Sequence, residues 1–235
     1  MTGDLTHRGR PEQYTQAANF LSRISAPLMA VPGNHDVPLY NFLVRFFRPY
    51  GEYDRQISPD REPTRTACPV RVFGINSVDP LSWQRGAIRP DDITRITASL
   101  AKPEINIVAL HHPLQQLPAV DKELARGASE ALSRYEAAGV RVSLTGHLHQ
   151  WAAEELLGMG HPHLLQVQAG TALCARETDL QNEFAVLDFD GDQLQIERHI
   201  APMGDADFRD PVFLHLAYGP EGWRSAPADS AGQGQ

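Results

Sequence analysis

One short segment limits the possible folds more than any other: Ile105 to Leu110 reads Ile-Asn-Ile-Val-Ala-Leu, apolar and β-branched apart from Asn106. A run of this length and type belongs in a strand covered on both faces, the kind found in parallel sheets flanked by helices. Val70 to Ile75, Val140 to Leu144 and Leu164 to Val167 continue the series, and Leu28 to Val31, closed by Pro32-Gly33, reads as a further buried strand. Helical periodicity falls between them, over Pro11 to Ile24, Asp91 to Leu100 and Ala128 to Ala138. Leu39 to Phe47 is apolar nearly all round and reads as a helix packed into the core, with a lid or dimer contact as the alternative. Arg55 to Thr66 reads as a polar surface loop. Phe184 to Phe189 and Leu194 to His199, joined across Asp190-Gly191-Asp192, predict a hairpin. The order predicts an α/β sheet core flanked by helices and finished by an antiparallel meander. Residues 219–235 are small and polar and read as a disordered tail, which leaves residues 1–218 as one domain.

Composition narrows the function classes. The 235 residues are 42% hydrophobic and 21% charged, which excludes collagen-like, coiled-coil and largely disordered chains. A formal net charge of −8 disfavours long nucleic acid as a partner, because such partners are usually held on a basic face. No stretch is apolar for the length a membrane span needs, and the start, Met1-Thr2-Gly3-Asp4, carries no signal-peptide pattern, so the expected location is cytoplasmic. Cys68 and Cys174 are too few for a disulfide framework and read as buried thiols. Nothing in the sequence specifies an oligomeric state.

Four places combine metal-ligand side chains with glycines or strand ends. They are Gly3-Asp4, Gly33-Asn34-His35-Asp36, His111-His112-Pro113 and Gly146-His147-Leu148-His149. Taken singly, each is explained by a turn or a strand end. Taken together, the last three follow strand-like runs, and in open α/β sheets the carboxyl ends of the strands meet in one crevice. Imidazole, carboxylate and amide oxygen without thiolate suit Zn²⁺, Mn²⁺ or Fe. His147 and His149, two apart, point the same way in an extended segment and could serve two neighbouring metals or one.

The ordered set Gly-Asp, Gly-Asn-His-Asp, His-His-Pro and Gly-His-x-His resembles the calcineurin-like metallophosphoesterases, in particular the bacterial branch that contains cyclic nucleotide phosphodiesterases. The likeness runs from Thr2 to about Ile200. It implies a four-layer α-β-β-α sandwich and hydrolysis of a phosphoester by a metal-bridging hydroxide, with two divalent ions (Mn, Fe or Zn) in the complete site. It makes Asp4 the bridging carboxylate, puts Asn34, His111 and His147 on the second metal, and puts His149 on the first. His35 corresponds to the non-ligand histidine over the phosphate, with Asp36 placed to orient it, and His112 supports the ligands from behind or faces the substrate rather than binding a metal itself. The family pattern also opens with an Asp-x-His motif upstream of the Gly-Asp. This chain starts at Met1, three residues before Asp4, so it is expected to lack its first strand or strands and to hold only one metal.

Further expectations concern the substrate. A small phosphodiester or phosphomonoester, such as a cyclic nucleotide, fits the acidic chain better than a polymer. Gly170-Thr171, Arg176 and Asn182 lie where the family shapes its pocket rim, and Arg176 suits bidentate phosphate binding. His7, on a loop beside Arg8, reads as solvent-facing. The alternatives are a scaffold or truncated fragment of the same fold without turnover, and a nuclease or nucleotide pyrophosphatase on the same site.

Overall fold

The computed structural model describes residues 1–100, 105–117, 120, 122–157, 159–173, 181–205 and 207–227. Three helices come first: α1 (Pro11–Leu21), α2 (Phe42–Phe47) and α3 (Gly51–Gln56). A five-stranded sheet follows in the order β1 (Thr64–Ala67), β2 (Val70–Ile75), β3 (Ile105–Leu110), β4 (Val140–Thr145) and β5 (Leu165–Gln168). Strands β2 to β5 run parallel, and β1 pairs antiparallel at the edge. Helix α4 (Pro90–Ser99) links β2 to β3, and α5 (Ala128–Ala138) links β3 to β4. A second, wholly antiparallel sheet holds β6 (Gln181–Asp190), β7 (Gln193–Pro202), β8 (Val212–Gly219) and β9 (Gly222–Ser225), in that order.

Local chemistry accounts for the boundaries. Pro11 and Pro90 open α1 and α4 at the position where a missing N–H costs nothing, and Asp91 and Asp92 add negative charge at the α4 N-terminus. Gly127 (φ 78°) and Gly139 (φ 99°) bracket α5 in left-handed conformations. All six residues of β3 are buried, as a central parallel strand requires. One face of the five-stranded sheet packs Phe73, Ile75, Val108 and Leu110 against Ile93, Ile96, Leu132 and Tyr135 of α4 and α5. The other face packs Ile107, Val142, Leu165 and Val167 against Leu194, Ile196, Leu216 and Trp223 of the second sheet. The result is an α/β sandwich with helices outside one sheet and the second sheet outside the other. On the second sheet's outward side Phe184, Val186 and Phe213 are exposed. A third cluster, Tyr14, Val37, Tyr50, Tyr53 and Val78, ties α1 and α3 to the chain around the candidate site.

The structure corrects several sequence-based expectations. Leu28–Val31 joins neither sheet; its backbone bonds the first residue, with Met1 N donating to Met29 O at 2.7 Å and Val31 N to Met1 O at 3.1 Å, and Ala30 O accepts from the Tyr53 hydroxyl at 3.0 Å. Helix α2 does not pack into the core. Phe42, Leu43, Phe46 and Phe47 face outward and the buried side is taken by Arg45, whose Nε and Nη2 donate to Pro80 O at 2.6 Å and Ser82 O at 2.7 Å. The expected 55–66 loop contains the start of β1. The segment read as a tail from residue 219 holds β9, where Trp223 is buried and donates its indole N–H to Arg141 O at 2.8 Å. Cys68 is exposed rather than buried, because it sits at the tight β1–β2 connection, and Cys174 lies outside the described residues. No described helix is long and apolar enough to cross a membrane.

Candidate metal centre

The site forms where the parallel strands end. His111 and His112 follow β3 directly, Gly146 and His147 follow β4, and Gly146 N donates to His111 O at 3.0 Å, locking the two strand ends together. Thr2–Asp4 and Gly33–His35 close the site from the side. Their approach is tight enough to need glycine: a Cβ on Gly33 would lie 2.2 Å from Asp4 N and Oδ1, and one on Gly3 (φ +84°) would lie 2.8 Å from His111 Nδ1. Asp4 (φ 54°), His147 (φ 75°) and His149 (φ 56°) hold left-handed backbones without being glycine. Such strain persists only where the surroundings enforce it, and it collects at functional sites.

Four donor atoms converge. His111 Nε2 lies 2.9 Å from Asn34 Oδ1, 3.2 Å from His147 Nδ1 and 3.4 Å from Asp4 Oδ1, and His147 Nδ1 lies 3.1 Å from Asn34 Oδ1. Hydrogen bonding fixes the roles of these atoms. His111 Nδ1–H donates to Thr2 O at 2.8 Å, which leaves Nε2 as the nitrogen turned into the cluster. The Asn34 amide nitrogen donates to Trp83 O at 3.4 Å, which turns Oδ1 inward. Two ring nitrogens and two oxygens therefore share one small space. Four ligands at about 2.0 to 2.1 Å from a tetrahedral ion stand about 3.3 to 3.4 Å apart, close to these separations. The donor set fits a divalent cation.

Electrostatics point the same way. Burial works to raise the Asp4 carboxyl, but His111, His35 and His149, with the His35 amide donating at 2.9 Å, hold it below the usual carboxylate range. Burial, then His111, His112 and Lys122, pushes the His147 imidazole down to about 2, so it is neutral at pH 7. Such a group offers a lone pair rather than a charge.

His112 stands within 4.8 Å of His111 and His147 as a third imidazole, but both its nitrogens are committed. Nε2–H donates to Gln84 O at 2.9 Å, and Nδ1 accepts from the Ser77 hydroxyl at 2.9 Å. The ring is buried rather than facing substrate, and burial followed by His111 lowers its pKa to about 3. The role expected of Asp36 also needs correction. Its buried carboxylate accepts from the backbone of Leu5 (3.1 Å), Thr6 (2.8 Å) and Gly33 (2.9 Å) and from the Thr6 hydroxyl (3.1 Å), so it staples the two loops together. Burial first and Asp4 second push this carboxyl up to about 7. The His35 ring is held instead by His7, whose carbonyl accepts from Nδ1–H at 2.7 Å and whose own ring stacks on it at 5.6 Å.

A cavity of about 550 Å³ opens over these groups, lined by Asp4, His7, Asn34, His35, Gln84, Lys122, His147, Leu148 and His149. Five of the nine candidate residues from the sequence line it: Asp4, Asn34, His35, His147 and His149. His111 lies beneath, Asp36 and His112 support it, and Arg176 falls outside the described residues. Gly170, Thr171 and Asn182 do not line this cavity. Sequence reasoning missed Lys122 and Gln84, which carry no motif, and set His7 in solvent. His7 is exposed, yet it also forms part of the wall.

Comparisons with known proteins give the chain a family. A probable cyclic nucleotide phosphodiesterase of Vesicomyosocius okutanii is 29% identical over 166 residues, covering 68% of this chain and 65% of that protein. A 3',5'-cyclic-nucleotide phosphodiesterase of Nostoc is 26% identical over 165 residues, covering 64% of this chain and 54% of that one. The chain thus spans between about half and two thirds of the length of these relatives. Among solved structures, the purple acid phosphatase of yellow lupin seeds superposes with a TM-score of 0.63 at 15% identity, over 90% of this chain and 45% of its own, which supports the fold. The family model for calcineurin-like phosphoesterases matches residues 1–151, the stretch that carries all four motifs and every converging donor atom, and the chain belongs to that family.

Proposed function

We propose that this protein hydrolyses a small phosphodiester, of which a cyclic nucleotide is the best example, in the cavity above Asp4, Asn34, His111 and His147. Membership of the family supports a phosphoester hydrolase that uses divalent metal, and the narrower substrate and the residue roles are our reading. A single observation carries it: His111 Nε2, His147 Nδ1, Asn34 Oδ1 and Asp4 Oδ1 converge within 2.9 to 3.4 Å, a donor set that suits a divalent cation. Asn34, His111, His147 and Asp4 would hold that ion, and His149 lines the same cavity. A divalent ion there supplies neutralisation of phosphate oxygens and activation of water near neutral pH.

The protein's own groups do the rest. His35, fixed through Nδ1 by the His7 carbonyl, keeps Nε2 for the substrate, where it stabilises the departing oxygen or gives it a proton. Lys122 lines the same cavity and puts a cation where the substrate's negative charge must sit. Two cationic contributions of this kind let a chain of net charge −8 accept a phosphate ester. The names of the relatives favour a cyclic nucleotide over a nucleotide diphosphate or a nucleic acid end.

The test is hydrolysis of bis(p-nitrophenyl) phosphate and of 3',5'-cyclic AMP by the purified chain with added Mn²⁺, alongside elemental analysis. Metal-dependent turnover of both is expected. Metal bound without turnover of any ester would favour the scaffold reading, and a preference for DNA ends or nucleotide diphosphates would favour the nuclease or pyrophosphatase reading.

A further inference from the structure

Helix α2 and the loop after β2 together turn large apolar side chains toward solvent. Phe42 and Phe46 are one turn apart, as are Leu43 and Phe47, so the four share one face of α2, and Arg45 takes the opposite side inward. Phe42, Leu43 and Phe47 are 66 to 73% exposed, as are Leu81 and Trp83. Arg45 joins the two segments: its guanidinium bonds the carbonyls on either side of Leu81 and lies 5.4 Å from the Trp83 ring centroid. Scattered exposed apolar residues need no explanation, but several large ones gathered on one face mark a docking surface. We propose that this face rests on the headgroup layer of an anionic lipid bilayer, without crossing it. The inference goes beyond the hydrolase reading and does not depend on it.

Charge selects the occupant. From Val37 to Tyr50 the chain holds Arg45 and Arg48 and no acidic residue, although the whole carries a net charge of −8. Arg48 is exposed at the end of α2, and near its start the exposed Arg10 lies 5.9 Å from the ring centroid of Tyr40. The acids of α3 and of the loop before Leu81 are already committed, Glu52 to Arg55, Asp54 to Arg61 and Asp79 to Arg126. A second copy of the chain would set this face against itself and bring arginine to arginine, whichever way the strip is turned. Anionic headgroups meet the same arginines with opposite charge, and each basic side chain near such a surface strengthens attachment. Shape agrees. The rings stand out from the surface, which a fluid headgroup layer accommodates and a rigid partner would have to match, and tryptophan is a side chain that favours the level of the headgroups. Gln84, which lines the metal cavity, follows Trp83 directly, so attachment keeps that cavity close to the bilayer surface.

The experiment sediments the full chain with vesicles of phosphatidylcholine, alone or mixed with phosphatidylserine in a ratio of about 7:3. The partition coefficient should be about tenfold higher with the anionic vesicles and should fall as salt rises. Trp83 reports the contact directly, because Trp151 and Trp223 pack between the two sheets. Fluorescence should shift to the blue with anionic vesicles, and Trp83→Phe, which keeps the backbone carbonyl, should abolish the shift. The double variant Phe42→Ser, Phe47→Ser should lower the partition coefficient at least about tenfold and leave the thermal midpoint unchanged. Arg10→Gln combined with Arg48→Gln should remove the preference for anionic vesicles. Equal binding to neutral and anionic vesicles, none to either, or unchanged binding in the phenylalanine variant overturns the proposal and leaves the hydrolase reading standing. Self-association that the same variant abolishes, found in place of vesicle binding, assigns the face to a second copy and overturns the proposal as well.

Discussion

At the scale of single residues, Asn34 and His35 are neighbours in the chain and differ in task. Asn34 turns its oxygen into the cluster of lone pairs, whereas the His35 ring is tied to His7 and stands over the cavity. Asn34→Ala and His147→Ala are therefore expected to lose bound metal and at least about a hundredfold of metal-dependent hydrolysis, since even outer partners of a metal site cost that much. His35→Ala should slow turnover about a hundredfold and keep metal content, as loss of an acid catalyst does. Elemental analysis beside initial rates separates the two cases, and equal metal loss in the His35 variant would refute its role. Gly33→Ala is the steric counterpart: its methyl would drive into Asp4, so the loops must part, and a drop of several degrees in the thermal midpoint together with weakened metal binding is expected. The ligand types and their order were legible in the sequence because imidazole, amide and carboxylate sit in four compact motifs. The holder of His35 was not legible, since the group that fixes it is a backbone carbonyl, and every residue has one.

At the scale of elements, hydrophobic pattern read the parallel strands well and misled on α2. Buried strands advertise themselves as short apolar runs, and β2, β3, β4 and β5 fall where those runs lie. In α2 the same rule fails because the one buried side chain is the arginine, while the five apolar residues are exposed. Strand β8 escaped notice for a related reason: Phe213 faces outward and Leu214 inward, so apolar residues on both faces blur the alternation. Arg45 has a measurable consequence for the centre. It holds the carbonyls of Pro80 and Ser82, and the next carbonyl along, that of Trp83, accepts from the Asn34 amide. The Arg45 guanidinium also lies 5.4 Å from the Trp83 ring centroid. Arg45→Ala should destabilise the fold by about 1 to 3 kcal/mol through carbonyls left unpaired, and weaken metal affinity about tenfold by loosening the amide's support. Denaturant unfolding and metal titration check the two halves, and unchanged metal affinity would confine Arg45 to a packing role.

At the scale of the whole molecule, the five-stranded sheet presents the site and the second sheet closes its other face. Trp223 belongs to the closing half, buried among Leu216, Val142 and Leu165 with its indole N–H on Arg141 O. Trp223→Ala is expected to cost about 3 to 5 kcal/mol. Denaturant unfolding measures the loss, and a change under about 1 kcal/mol would mean that β9 contributes little. That segment had been read as tail because Gly, Pro and polar residues surround a lone tryptophan, a pattern too short for periodicity to register.

The left-handed backbones of Asp4, His147 and His149 have one more implication. Each costs on the order of 1 kcal/mol or more, which glycine would spare. A search for heat-resistant variants would therefore select glycine at these three positions, and the sturdier proteins it returned would have surrendered side chains of the proposed metal site.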